Sequence, residues 1–167
     1  RLKTTGPYAD KLKDISPFDN IIFKAMNSFR DATSWDQSFD ITLDKHIPVA
    51  AGIGGGSSDA AAVLMCLNKL CPTPMNMDEL CRLGLTIGAD VPVCLSGHDH
   101  HLWRMRGIGD ILDPVHHKPS SDYGLVLMNP GINVPTRDVF KAMHTNDIID
   151  DEFSKEFSRG FSRGRDL

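Results

Sequence analysis

The stretch "PVAAGIGGGSSDAAAVL", residues 48–64, sets Gly52, Gly54, Gly55 and Gly56 directly ahead of a run of strong helix formers. Glycine reaches positive φ without a Cβ clash but loses more backbone entropy on folding than any other residue. Such a cluster therefore calls for a reason. An anion supplies one: glycines let several backbone N–H groups converge on a single ligand, and the free amides and positive dipole end of the following helix reinforce them. A tight strand-to-helix turn packed against a neighbour supplies the other.

Two familiar phosphate loops do not fit. No lysine follows Gly56, which excludes GxxxxGK[ST]. The dinucleotide pattern GxGxxG would run through Gly52 and Gly54 but meet Ser57 at its third glycine, without a regular βαβ rhythm around it. The stretch is therefore expected to bind phosphate in another way. Ser57 or Ser58 can cap the helix, donate to a phosphate oxygen, or sit near a magnesium ion. Asp59 opposes the simplest version, because a carboxylate in the first turn repels a polyphosphate unless it is turned away or bridged by a cation.

The flanking periodicities define the scaffold. In "SFDITLD", Phe39, Ile41 and Leu43 alternate with Asp40, Thr42 and Asp44, the pattern of a strand with one wet face. Before it, "FDNIIFKAMNSF" gathers Ile21, Ile22, Ala25, Met26 and Phe29 on one side of a helix, with Asp19 as the expected cap. After the glycines a helix from Ser57 or Ser58 turns Ala60, Val63, Leu64 and Leu67 to the core, and Pro72 and Pro74 end it. Asn76 and Glu79 then cap a helix carrying Leu80, Leu83 and Ile87, with Gly88 as terminator.

Beyond the apolar "DVPVCLSG", strands are expected near residues 99–105, 109–115 and 123–128, then a short helix in "RDVFKAM". Residues 1–18 read as an irregular lead-in, and residues 141–167 as an uncertain or flexible tail with a near repeat, "FSRGFSRGRD". The fold class is α+β, with mixed or antiparallel strands and packed helices, occupying residues 1–140.

A net charge of −4 over 167 residues gives no general attraction to nucleic acid or to an anionic membrane, so any phosphate recognition is local. No apolar run approaches the roughly 18 residues of a membrane span, and no secretion pattern opens the sequence. A cytoplasm-like compartment is the default expectation, with an organellar mature protein still open. Cys66, Cys71, Cys81 and Cys94 form no CxxC pair and follow apolar patterns, so they are expected as buried thiols. The histidines of "HDHH" and "HH" lack a paired cysteine set or an HExxH helix and read as turn and strand residues rather than zinc ligands. Arg104 and Arg106 can meet phosphate or form a solvated strand face; Trp35 and Trp103 read as core or rim anchors.

In "GLTIGADVPVCL", Asp90 follows a helix end. A carboxylate there can orient a hydroxyl and accept its proton, or simply occupy a turn. Taken together, "DKHIPVAAGIGGGSSDAAAVLMCLNKL", "LGLTIGADVPVCLSGH", "RGIGDIL" and "NPGINVPT" resemble the GHMP kinase superfamily. Within it they resemble the family that phosphorylates the 2-hydroxyl of 4-diphosphocytidyl-2-C-methyl-D-erythritol, a step of non-mevalonate isoprenoid precursor synthesis. The resemblance runs from Arg1 to about Phe140. It implies an incomplete GHMP kinase fold, ATP and magnesium as cofactors, and a small-molecule cytidine diphosphate substrate, with no nucleic acid or membrane partner.

By the same resemblance, Gly52, Gly54, Gly55, Gly56, Ser57 and Ser58 line the triphosphate loop, with Ser58 near magnesium. Asn20 contacts the nucleotide, Asp90 is the catalytic aspartate, and Thr136 and Phe140 hold the cytidine end. The family's N-terminal lysine segment and late glycine-rich loop have no counterpart in these residues, so this chain by itself is expected to turn over little or no substrate. Another small-molecule kinase of the superfamily and a noncatalytic nucleotide-binding fragment are the alternatives.

Overall fold

The computed structural model describes residues 1–97, 102–115, 126–128, 141 and 142. The chain divides into two units, residues 1–133 and 134–167. In the second, Lys141 and Ala142 are helical, as expected for the end of "RDVFKAM"; the tail beyond them lies outside the described residues.

The first unit runs β1 (Leu2–Thr5), a 3-10 turn (Ala9–Leu12), α1 (Ile21–Thr33), β2 (Ile41–Asp44), α2 (Gly55–Leu70), α3 (Met77–Ile87), α4 (Val91–Ser96), β3 (Leu102–Arg106) and β4 (Ile111–Val115). β1 and β2 pair in parallel, Leu2 opposite Ile41 and Thr5 opposite Asp44, with α1 as the crossover between them. The expectation of an irregular lead-in over residues 1–18 is thus corrected. "LKTT" has no alternating apolar signal of its own and is a strand because β2 offers it a hydrogen-bonding edge. β3 and β4 form an antiparallel pair, Leu102 opposite Val115 and Arg106 opposite Ile111. A third strand over 123–128 is not seen in its described part, since residues 126–128 are exposed and without regular structure.

α1 starts one residue later than expected. Asn20, not Asp19, is the cap: its backbone is extended and its side chain accepts from the Ile22 N–H at 3.0 Å. Ile22, Ala25 and Phe29 are buried, and Trp35 just beyond the helix stands edge-on to both Phe29 and Phe39 at 6.4 and 5.3 Å between ring centres. α1 packs on α2, whose Ala60, Ala61, Val63, Leu64 and Leu67 complete the centre of the core. The two buried alanines let the helices approach closely.

α3 carries the expected capping box, with Asn76 and Glu79 each accepting from the other's backbone N–H at 2.9 Å. Gly88 ends it in extended rather than left-handed backbone. The apolar "VPVCLS" then forms α4, which buries Val91 and Leu95 against α3. Gly84 makes that approach possible, since a Cβ there would stand 2.9 Å from Val91 Cγ1 and 3.0 Å from Leu95 Cδ1. Cys71 is buried and Cys81 and Cys94 are half-buried, but Cys66 is exposed, which corrects the expectation of four buried thiols. A helix of 16 residues wraps around further than one core, so an apolar residue on its outer side stays wet. No helix among the described residues is long and apolar enough to cross a membrane.

Candidate nucleotide-binding site

β2 delivers the chain into residues 45–54, where Ala50, Gly52 and Gly54 take φ of 56°, 73° and 70°. For Ala50 this left-handed backbone costs about 1–2 kcal/mol; for the glycines it is free of that penalty. A Cβ added to Gly52 or Gly54 meets no atom within 4 Å, so both line open space. Gly55 is different, because a Cβ there would reach Ile47 Cγ2 at 3.3 Å and Lys45 Nζ at 3.5 Å.

The helix begins at Gly55 rather than at Ser57 or Ser58, and its cap is Gly54, which has no side chain to offer. Neither serine caps it. Gly55 and Gly56 are poor helix formers, but first-turn residues need only helical backbone, and here both supply it. The consequence lies in the hydrogen bonds. The Ser58 N–H is the first to close a helical bond, to Gly54 O at 2.9 Å, and the amides of Gly55, Gly56 and Ser57 have no acceptor among the described residues. α1 and α3 fill the equivalent need with Asn20 and Asn76. α2 leaves it unfilled, which is the local chemistry of an anion cradle.

Two other segments converge on this cradle. Gly56 lies against Ile21, the first residue of α1, with a Cβ–Cγ2 distance of 3.9 Å, so Asn20 stands beside the loop. One Asn20 oxygen is committed to the α1 cap, and its amide nitrogen is the group left for a ligand. On the other side, a Cβ on Gly88 would come within 3.9 Å of Ser57 Oγ. Asp90 follows two residues later, no more than about 7 Å of chain from Gly88. Gly109, in the turn between β3 and β4, packs directly on the Ala89 carbonyl, where any side chain would collide, and so braces this junction.

Asp90 stands at the cap position of α4, is exposed, and makes no side-chain cap bond. Its charge is felt one turn on: burial first, and then the Asp90 carboxylate, push the Cys94 thiol above its ordinary value. Asp59 does not face the cradle as a bare carboxylate. Its Oδ2 is 2.5 Å from the Nζ of Lys45, a lysine only 6% exposed. Lys45 was missed in the sequence, although strand parity pointed to it: residues 41 and 43 face inward, and 45 continues that face.

Arg106 is occupied by Asp113 at 2.8 Å and holds that carboxyl below the usual range by hydrogen bond and charge. Ser58 is exposed on the first turn of α2. Thr136, Phe140 and the histidines at 98, 100, 101, 116 and 117 lie outside the described residues. A groove of about 360 Å³ runs along the flank of β2 and α2 between Ile41, Leu43, Val63 and Leu70, meeting the site only at Asp59.

Comparison with known proteins covers the same stretch of chain. The family described as GHMP kinases N terminal domain matches residues 20–98, the span that carries the cradle, Asn20 and Asp90. Residues 20–98 thus match the GHMP kinase superfamily. The chain is 44% identical over 141 residues to the 4-diphosphocytidyl-2-C-methyl-D-erythritol kinase of Paramagnetospirillum magneticum, covering 84% of this chain and 47% of the relative. The enzyme of the same name from Cereibacter sphaeroides is 44% identical over 146 residues, 87% of this chain and 48% of the relative. A crystal structure of 4-(cytidine 5'-diphospho)-2C-methyl-D-erythritol kinase superposes with a TM-score of 0.63 at 32% identity, over 98% of this chain and 55% of that one. The chain thus spans about half the length of the curated relatives it matches.

Proposed function

We propose that these residues form the nucleotide-binding portion of an ATP-dependent small-molecule kinase that phosphorylates the 2-hydroxyl of 4-diphosphocytidyl-2-C-methyl-D-erythritol. The observation that carries the reading is the uncapped start of α2, where three adjacent amides lack acceptors beside the junction that leads to Asp90. The names of the relatives support the choice of substrate. ATP would supply the transferable phosphoryl group. The chain's own residues would bind and align: the amides of Gly55, Gly56 and Ser57 hold the anionic end, the hydroxyls of Ser57 and Ser58 add donors, and Asn20 contacts the nucleotide through its free amide.

Asp90 orients the acceptor hydroxyl and takes its proton, a role that suits an exposed carboxylate beside the cradle. No three His, Cys, Asp or Glu side chains gather into an ion site among the described residues. Magnesium therefore enters the proposal bound mainly by the nucleotide's phosphates, with Ser58 at its edge. Thr136 and Phe140 are assigned to the cytidine end on the family resemblance alone.

The test is calorimetric titration of the 167-residue chain with ATP and magnesium, alongside Gly54→Val. Binding by the parent and at least a tenfold loss in the variant, with unchanged far-ultraviolet dichroism, is the expected result. A parent chain that binds no ATP refutes the cradle. With the cytidylylated methylerythritol added, binding without appreciable turnover is expected from these residues by themselves, because alignment of donor and acceptor is most of phosphoryl-transfer catalysis.

A further inference from the structure

Lys45 is the one buried charged residue among the described ones, and its place is unusual for a residue kept for stability alone. A buried ion pair is typically neutral or worse against an apolar pair of the same volume, because desolvation offsets the attraction. Its main chain is fixed from two sides: the Lys45 N–H donates to Thr5 O at 2.8 Å, and its carbonyl accepts from Tyr8 N–H at 3.2 Å. From that anchor the side chain runs under the glycine loop to Asp59, and its ammonium lies beneath Gly55, the first residue with a vacant amide. Asp59 is in the second turn of the same helix, so its charge would otherwise act on whatever anion the cradle holds.

We infer that Lys45 is a positioning residue for the anion site: by clamping and neutralising Asp59 it keeps the start of α2 electrostatically open to a polyphosphate. This rests on the cradle described under the proposed function and adds to it a specific source of charge selectivity. Without the ammonium, an aspartate lies within one helical turn of the ligand and opposes the helix dipole. With it, the first two turns of α2 present no net negative charge, and the amides act unopposed. The role is electrostatic and indirect, since the Lys45 side chain is buried and its ammonium is committed to Asp59.

A four-member cycle separates this from simple anchoring of the helix. Lys45→Met, Asp59→Asn and K45M/D59N are compared with the parent for binding of inorganic tripolyphosphate and of uncharged adenosine, at two salt concentrations. Lys45→Met should weaken tripolyphosphate on the order of tenfold at low salt and leave adenosine within about twofold. The double variant should recover most of the loss, and Asp59→Asn alone should bind tripolyphosphate at least as tightly as the parent.

Equal losses for tripolyphosphate and adenosine, or a double variant as weak as Lys45→Met, overturn the inference in favour of a purely structural pair. Should Lys45→Met fail to fold, Asp59→Asn decides by sign: weaker tripolyphosphate binding there also overturns it. A parent that binds neither probe overturns the cradle and this inference together, whereas a parent that binds with a flat cycle overturns this inference only.

Discussion

At the scale of single residues the chain separates chemistry from packing. Asp90 is exposed and uncommitted, whereas Cys94, one turn further, is half-buried and carries a thiol raised by burial and by the Asp90 charge. A raised thiol value means less thiolate at a given pH and slower alkylation. Cys66, exposed on α2, should therefore react with iodoacetamide well before Cys94 at pH 8, as read by peptide mass spectrometry. Asp90→Asn removes the negative charge that disfavours the Cys94 thiolate, lowers its pKa, and should speed its alkylation; an unchanged rate would mean that the carboxylate is turned away from α4. The types of these residues were legible in the sequence, their settings less so. Asp90 stood out because a carboxylate followed a helix end, but Lys45 did not, because lysine at a strand end normally reads as solvated.

At the scale of elements, what could be read depended on how much of each element's stability is local. The amphipathic faces of α1, α2 and α3 and the capping box at Asn76 are written in spacing and survive intact. β1 and α4 are not, because each is short and takes its conformation from a partner, β2 in one case and α3 in the other. Gly84 shows the contest directly. Alanine is the better helix former by about 1 kcal/mol, yet its Cβ would press on Val91 and Leu95, and overpacking of this kind costs about 1–3 kcal/mol. Gly84→Ala should therefore destabilise the fold by about 1 kcal/mol in urea titration, against the propensity trend. A stabilised variant would show that α4 yields freely.

At the scale of the whole molecule, the core formed by α1, α2, α3 and α4 is closed, but the flank of β2 is not. The groove there is lined chiefly by apolar side chains, and Leu70 at its margin is 60% exposed. Apolar surface gathered in a concave site attracts hydrophobic probes. An anilinonaphthalene dye should bind the native chain with enhanced fluorescence, and Leu43→Asn, which makes the groove wall polar, should reduce the signal severalfold without unfolding. A dark native state would mean that the groove is covered in solution. Neither the groove nor the convergence of α1, α2 and the Gly88–Asp90 junction could be read from spacing, because both depend on how separate helices meet.

The parallel pairing of β1 with β2 has a kinetic corollary. Thr5 and Asp44, joined by a side-chain hydrogen bond, are 39 positions apart along the chain. The neighbouring helices can consolidate through nearer contacts, whereas this long closure must be completed before its bonds give anything back. Lys45 hangs from the end of β2 and takes its anchor from Thr5. Refolding should thus pass through a stage in which the helices are assembled while the glycine segment still lacks its floor, so that the proposed anion site is the last part of the fold to be completed.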